Sequence, residues 1–297
     1  MGRALADAYP EARATFDEAE AALPGLTNVI FDGPEDALVL TQNAQPAILT
    51  VSVAAYRVLA ARGLEPAFVA GHSLGEYSAH VAAGTIAFAD AVKVVRRRGQ
   101  YMQEAVPVGA GSMAAILGLD ADAVARACEE AAQGDIVGPA NINGGGQVVI
   151  AGATAAVLRA GERAKELGAR RVIPLAVSAP FHCALLRPAE ERLEPDLRAL
   201  PAQRPRIPVV ANVDAEPKRD AASAIDALVR QVSAPVRWEQ VVRRLASEGV
   251  SNYVEVGPGT VLSGLIKKID RTATVFSFSQ PEDLAALEEG LAKKWKS

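Results

Sequence analysis

The chain is poor in cysteine and carries no excess of basic charge. Its two cysteines, Cys128 and Cys183, are too few for a disulfide framework, and their spacing matches no metal-binding or redox motif. A net charge of −4 leaves no basic footprint for nucleic acid. The longest apolar run, residues 44–61, contains Gln45 and Arg57 and falls short of a membrane span. These absences predict a globular protein of the reducing cytoplasm, with neither a nucleic acid nor a membrane as partner.

A serine stands between two glycines in the segment Gly71-His72-Ser73-Leu74-Gly75. A short apolar segment that predicts a strand precedes it, and an alanine-rich helical pattern follows. This arrangement is typical of a nucleophile elbow. We expect a Cβ at Gly71 or Gly75 to clash where strand and helix backbones meet, and the Ser73 hydroxyl to be exposed. The alternative is a Gly-Ser turn in which Ser73 caps the helix.

Residues 109–177 have the element order β-α-β-β-α-β of a ferredoxin-like unit. Its predicted strands are residues 112–119, 136–142, 147–151 and 171–177, and its predicted helices are residues 121–132 and 154–167. On either side, residues 1–108 and 178–297 alternate strands with helices, which is typical of a mainly parallel, covered sheet. We therefore predict an α/β fold in which the small unit is inserted into a discontinuous larger domain, with a substrate cleft between them. Elements predicted for the larger domain include a strand at 66–70, a strand at 207–213 and a helix that begins at Pro46.

A serine hydroxyl needs a base, and the chain offers only three histidines. His80 lies seven residues along the elbow helix, about 10 Å of axial rise away, and cannot reach Ser73. His72 leaves the elbow in another direction, so we expect it to pack or to hydrogen-bond. His182 lies in a loop after the small unit that can return over the elbow. His182 is the predicted base.

The imidazole of His182 also needs an acceptor that holds it in the correct tautomer. Two candidates remain open at this stage. Asp214 follows the predicted strand 207–213 and could act as a triad acid. Alternatively, the helix predicted over 221–232 ends with carbonyls that lack intrahelical donors, including that of Gln231.

Arg98 is the one of three consecutive arginines that falls among the apolar positions of a helix predicted over residues 88–106. A guanidinium in apolar surroundings needs an anion, and its fork matches a carboxylate. This pattern favours a carboxylate-binding role. A structural ion pair or a snorkelling side chain would explain it equally well.

Five segments, in this order and with this spacing, resemble the motifs of the malonyl-CoA:acyl carrier protein transacylase family. They are Gly71-His72-Ser73-Leu74-Gly75-Glu76, Arg98-Gly99-Gln100-Tyr101-Met102-Gln103, Asn141-Ile142-Asn143, Val177-Ser178-Ala179-Pro180-Phe181-His182 and Val256-Gly257-Pro258-Gly259. The likeness runs from about residue 1 to residue 290. It implies a hydrolase-like larger subdomain with a ferredoxin-like insert, in agreement with the pattern above.

The resemblance also implies roles for individual residues. The implied catalytic set is Ser73 as acylated nucleophile, His182 as base, the Gln231 carbonyl as its orienter and the Leu74 amide as an oxyanion donor. The implied substrate-binding set is Arg98 for the malonyl carboxylate, with Met102, Asn143 and Phe181. Phe181, just before the base, resembles the residue of malonyl-selective rather than methylmalonyl-selective relatives.

The activity so implied is ping-pong transfer of malonyl from malonyl-CoA to the phosphopantetheine thiol of acyl carrier protein, in fatty-acid biosynthesis and without a cofactor or metal. Because acyl carrier proteins are acidic, we expect a locally basic docking face. The candidates are Arg170, Arg171, Lys267 and Lys268, although solvated surface charge would also explain them. Two alternatives remain: a serine hydrolase with Asp214 as its acid, and a non-enzymatic module that binds acyl carrier protein.

One departure from the family pattern concerns the amino terminus. The family normally begins with a strand that leads into a Gly-Gln-Gly-Ser-Gln loop, which supplies a second oxyanion amide, and this sequence starts after that point. Loss of one oxyanion donor typically costs about 10²–10³ in rate. We therefore expect the natural start to lie upstream of Met1 and the added segment to raise turnover.

Overall fold

The computed structural model describes residues 1–294, with the side chains of residues 1–292. The strands are β1 (Val69–Ala70), β2 (Gly111–Leu117), β3 (Val137–Gly144), β4 (Gln147–Ala153), β5 (Arg171–Pro174), β6 (Val209–Val210), β7 (Pro217–Lys218), β8 (Asn252–Val256) and β9 (Thr274–Phe278). The helices are α1 (Arg3–Ala8), α2 (Pro10–Ala22), α3 (Leu26–Asp32), α4 (Glu35–Val39), α5 (Thr41–Ala60), α6 (Leu74–Ala82), α7 (Phe88–Glu104), α8 (Ala121–Ala132), α9 (Thr154–Glu166), α10 (Arg187–Arg198), α11 (Ala221–Gln231), α12 (Trp238–Ser247), α13 (Val261–Ile269) and α14 (Asp283–Lys294). None of these helices is both long enough and apolar enough to cross a membrane.

Strands β2 to β5 form one antiparallel sheet in the order β3-β4-β2-β5. This order, with α8 and α9 as the two crossovers, is that of a ferredoxin-like unit. Side chains alternate across β2 because successive residues of a strand point to opposite faces. Ala114 and Ile116 pack with α8 and α9, whereas Met113 and Ala115 pack against the segment around Cys183. The small sheet therefore supports the loop that carries His182.

The remaining strands form two small sheets among the helices. β1 pairs in parallel with β6, β6 pairs with β7 antiparallel, and β8 pairs in parallel with β9. The α/β, hydrolase-like fold class is confirmed, but the strands predicted at 66–70 and 207–213 are reduced to two residues each. The second one ends early because the amide of Ala211 donates to Glu216 and that of Asn212 donates to Glu76. These amides serve the elbow and a turn, not a neighbouring strand.

The main apolar core lies around α5 and α7. The sequence predicted that the α5 helix begins at Pro46. This prediction is wrong, because α5 starts at Thr41 and contains Pro46. Proline cannot donate to the carbonyl four residues earlier. Arg96 from α7 donates to that carbonyl, Gln42 O, at 3.1 Å instead. A contact from a neighbouring helix thus supplies the hydrogen bond that Pro46 cannot make.

Candidate active site

Ser73 forms a sharp turn between β1 and α6, with φ 51° and ψ −109°. A Cβ at Gly71 would lie 2.0 Å from the carbonyl carbon of Gly75, so only glycine fits there. The expectation for Gly75 is wrong, since a Cβ built at that position meets nothing within 4 Å. The close approach is one-sided because the Gly71 Cβ direction points at the helix backbone, while that of Gly75 points into open space.

His182 meets the elbow from the loop after β5. Its Nε2 lies 2.7 Å from Ser73 Oγ, and its Nδ1 lies 3.0 Å from the carbonyl oxygen of Gln231 at the end of α11. A carbonyl oxygen can only accept, so Nδ1 carries the proton and Nε2 presents a lone pair to the serine hydroxyl. Burial, together with the nearby Arg98 cation, lowers the pKa of His182 to about 3. The imidazole is therefore neutral and able to accept a proton throughout the neutral pH range.

Asp214, the alternative orienter, lies elsewhere. Its carboxylate binds Lys218 at 2.8 Å and Arg230 at 3.1 Å. These contacts hold its pKa below the usual range, although partial burial opposes the shift. Of the two acceptors left open by the sequence, the structure places the Gln231 carbonyl at His182.

The Arg98 guanidinium is buried beside the nucleophile, with 2% of the residue exposed. Nη1 donates to Gln45 Oε1 at 2.7 Å, and Nη2 donates to Gln231 Oε1 at 2.9 Å and to Ser73 Oγ at 3.1 Å. The guanidinium carbon, Cζ, lies 5.3 Å from the ring centroid of Tyr77. All of its hydrogen-bond acceptors within residues 1–292 are neutral, so the fork is not locked to a protein carboxylate. This geometry leaves the cation available for a substrate anion.

Leu74 is the first residue of α6, and no carbonyl of its own helix can accept its amide. The next two amides, of Gly75 and Glu76, donate to the carbonyls of His72 and Ser73. The Leu74 N–H, next to Ser73 in the chain, therefore has no acceptor within α6, so its role as an oxyanion donor stays a prediction.

A cavity of about 1010 Å³ opens at this elbow. Among the residues that line it are Ser73, Leu74, His182 and all four of the predicted substrate-binding residues, Arg98, Met102, Asn143 and Phe181. Met102 and Asn143 are buried, and Phe181 is half-buried. Asn143 Oδ1 lies 3.0 Å from His72 Nε2, which gives His72 the hydrogen-bonding role expected for it. Gln231 is not among the residues that line the cavity, but it hydrogen-bonds to three that are: Ser73, Arg98 and His182.

Residues 1–282 match the family described as acyl transferase domain. The chain belongs to this acyl transferase family. It is 50% identical over 287 residues to the malonyl CoA-acyl carrier protein transacylase of Escherichia coli K12. The aligned region covers 96% of this chain and 93% of that protein. The acyl carrier protein S-malonyltransferase of Vibrio cholerae superposes with a TM-score of 0.95 at 48% identity, over 97% and 94% of the two chains.

A second solved acyl transferase structure contains a type II polyketide-synthase acyl-carrier protein in complex with its malonyl-transacylase. It superposes on this chain with a TM-score of 0.95 at 46% identity and covers 98% of this chain and 94% of that one. The resemblance stated from the sequence motifs is thus confirmed.

Three polar residues of this acyl transferase site were not predicted from the sequence. Gln45 Oε1 accepts from Arg98, and Asn212 Oδ1 accepts from the backbone amide of Ser73 at 2.7 Å. Glu76 accepts from the backbone amide of Asn212 and from the side-chain amide of Gln231. A polar residue inside an otherwise apolar element is the signal that each one gives: Asn212 follows Val209-Val210-Ala211, and Glu76 lies in the alanine-rich elbow helix. Among the described residues, no cluster of three His, Cys, Asp or Glu side chains could hold a metal.

Proposed function

We propose that this chain transfers malonyl from malonyl-CoA to the phosphopantetheine thiol of an acyl carrier protein, in fatty-acid biosynthesis. The observation that carries the proposal is the buried Arg98 guanidinium, 3.1 Å from the nucleophilic oxygen and bound only to neutral acceptors. A carboxylate that enters the cavity can form two parallel hydrogen bonds with this fork. The relatives with 46–50% identity, whose names specify malonyl transfer, support the same substrate.

The first half-reaction acylates Ser73. His182 Nε2 takes the hydroxyl proton while Oγ attacks the thioester carbon of malonyl-CoA, and the Leu74 amide donates to the oxyanion. Collapse of the tetrahedral intermediate breaks the carbon–sulfur bond. The CoA sulfur leaves with the proton from His182, and a malonyl ester remains on Ser73.

The second half-reaction reverses these roles. The phosphopantetheine thiol gives its proton to His182 and attacks the malonyl ester. The ester bond to Ser73 breaks, and His182 returns the proton to Oγ. The Gln231 carbonyl holds Nδ1 throughout, so His182 exchanges protons only at Nε2.

Substrate charge and basicity are coupled in this site. The Arg98 cation is one cause of the depressed pKa of His182. A malonyl carboxylate on Arg98 offsets that positive charge, so its binding raises the proton affinity of the base. An acetyl group brings no such charge and leaves the guanidinium unpaired, which favours malonyl over acetyl.

The carrier protein docks, in this proposal, on the exposed pairs Arg170-Arg171 and Lys267-Lys268. One member of each pair lies next to the glycine turn at residues 144–146. Arg170 packs over Gly118, whose amide donates to Gly146 O at 2.7 Å, and Lys268 packs against Gly145. This turn directly follows Asn143, which lines the cavity. None of the four cations forms an ion pair within the described side chains. They are therefore free to meet an acidic partner.

The proposal includes a cytoplasmic site of action and no cofactor or metal. Two buried, unpaired cysteines support a reducing compartment. The groups described above carry out every bond change of the transfer.

Transfer and hydrolysis are separated by following the fate of the malonyl group. The enzyme is mixed with malonyl-CoA and holo acyl carrier protein, and both the mass of the carrier protein and free malonate are measured. We expect the carrier protein to gain the malonyl mass with little free malonate. Mainly free malonate would identify a hydrolase, and neither product would indicate a binding module.

A further inference from the structure

Glu76 is a buried carboxylate to which the transfer mechanism assigns no task. It lies in the first turn of α6 with 0% of the residue exposed. One oxygen, Oε2, accepts from Gln231 Nε2 at 2.7 Å and from the amide of Asn212 at 3.0 Å. The other oxygen, Oε1, has no hydrogen-bond partner within the described residues. Burial of a carboxyl group here is costly, so its contacts need an explanation.

Both partners of Glu76 bind the backbone of the nucleophile. Asn212 Oδ1 accepts from the Ser73 amide at 2.7 Å, and Gln231 Nε2 donates to the Ser73 carbonyl at 2.9 Å. The Asn212 amide group also donates to Gly71 O at 2.8 Å. The strained conformation of Ser73 is therefore held from both sides by residues that share one carboxylate.

The contact between Glu76 and Gln231 also connects Glu76 to His182 and to Arg98. The Gln231 side chain lies between Arg98, which donates to its Oε1, and Glu76, which accepts from its Nε2. Its main-chain oxygen orients His182. The Gln231 side-chain amide thus accepts from the Arg98 guanidinium and donates to the Glu76 carboxyl group, and these two contacts fix its orientation.

From these contacts we infer that Glu76 is a positioning residue for acylation: through Gln231 and Asn212 it sets the Ser73 backbone and the orientation of His182. The Glu76 side chain forms no hydrogen bond with Ser73 or with the His182 ring, so the carboxyl group acts only through its partners, whereas the Glu76 backbone amide, which donates to Ser73 O, is kept in every variant. Misplacement of reacting groups by about 1 Å can cost on the order of 10² in rate.

The test uses Glu76→Ala, Glu76→Gln and Glu76→Asp in the full chain. Two quantities are measured for each variant: the acylation rate at saturating malonyl-CoA and the malonyl-CoA concentration that gives half of that rate. We expect Glu76→Ala to lower the saturating rate about 10²-fold and to change the half-saturating concentration little. Glu76→Gln should recover most of the rate, because its amide oxygen can accept from both partners. Glu76→Asp should lose rate as Glu76→Ala does, because its carboxylate is retracted by one methylene. If Glu76→Ala does not fold, the rate of Glu76→Asp tests the inference instead.

Leu193→Ala is the matched control, since Leu193 is fully buried in the main core on α10 and its apolar side chain takes no part in these hydrogen bonds. It should lower the unfolding midpoint without a loss of the acylation rate. Equal rates in folded Glu76→Asp and Leu193→Ala, or a Glu76→Gln variant as slow as Glu76→Asp, would overturn the inference.

The inference rests on the proposed malonyl transfer only where the acylation rate with malonyl-CoA is measured. Labelling of Ser73 by a fluorophosphonate provides a second readout that needs an activated serine but no malonyl group. If the wild-type protein forms no malonyl ester, the proposed function fails, and the labelling rates still decide the role of Glu76. The same order of variants is expected in both measurements.

Discussion

At the scale of a single residue, the proposed preference for malonyl over acetyl depends on Arg98. Truncation to Arg98→Ala removes two charge-assisted hydrogen bonds to the malonyl carboxylate, so we expect malonyl acylation to fall by about 10²-fold or more. Acetyl acylation should improve, because no unpaired cation remains. The measurement is the ratio of acylation rates with malonyl-CoA and acetyl-CoA. Arg97→Ala is the control, since its exposed pair with Asp196 contributes little. An unchanged ratio in Arg98→Ala would contradict the carboxylate assignment.

His80 makes stability depend on pH without taking part in catalysis. Burial lowers its pKa to about 3, and neither ring nitrogen has a hydrogen-bond partner in the described residues. Below its ordinary pKa of 6.5 the unfolded chain binds a proton at His80 that the folded chain does not. Stability therefore decreases as pH falls from about 6.5 towards 3.

We expect His80→Leu to reduce this pH dependence by up to about 1.4 kcal/mol per pH unit between pH 6 and pH 4. Urea unfolding of both proteins at a series of pH values measures it. The opposite contribution of Glu76, whose pKa burial raises to about 7, is present in both proteins and cancels in the difference. Parallel curves for the two proteins would refute the assignment.

At the same scale, the sequence predicted which proposed reactive groups lie together better than it predicted the residues that support them. The elbow motif and the scarcity of histidine were sufficient to select Ser73 and His182. The choice between Asp214 and the Gln231 carbonyl needed coordinates, because each lies at the end of an element predicted from the sequence, and the sequence does not show which end reaches His182. Glu76 and Asn212 could not be paired from the sequence, since 136 positions separate the two residues that meet.

At the scale of elements, the strand-to-helix turn of the elbow requires glycine at one position only. Gly71→Ala places a Cβ against the α6 backbone, where nothing flexible can move, and should destabilise the fold by more than about 3 kcal/mol. Gly75→Ala is matched in chemistry, and it should stabilise α6 by about 0.5–1 kcal/mol. Unfolding midpoints in urea report both changes. Similar midpoints for the two variants would show that the elbow backbone is not where the structure places it.

Element boundaries show where local patterns are overridden by tertiary contacts. The small unit was predicted within a few residues throughout, because its strands pair with one another and Asp120 caps α8. Helix α5 begins five residues before Pro46 because Arg96 from α7 satisfies the carbonyl that proline leaves open. No local pattern around Pro46 contains that information.

At the scale of the whole molecule, the insert and the larger part meet at the catalytic loop and at the glycine turn. Next to that turn lies one member of each of two basic pairs that are 97 positions apart in the sequence: Arg170, which precedes Arg171, and Lys268, which follows Lys267. Reversal of either pair to glutamate should slow transfer to the carrier protein by about tenfold or more at low salt.

Acylation by malonyl-CoA should stay unchanged in both reversed proteins, and added salt should reduce the difference from wild type. Arg126→Glu, at an exposed position on α8, changes the net charge by −2, half the change in each reversed pair, and tests for a general effect of added negative charge. Equal slowing in Arg126→Glu would place the docking face elsewhere.

The central claim is that Ser73, His182 and Arg98 act together on one malonyl group. Its most direct measurement is the intact mass of the protein after brief mixing with malonyl-CoA, followed by peptide mapping. We predict one malonyl ester per chain, located on Ser73, absent from Ser73→Ala and discharged by the thiol of holo acyl carrier protein. A wild-type protein that stays unmodified, or that carries the malonyl group on another residue, would contradict the account.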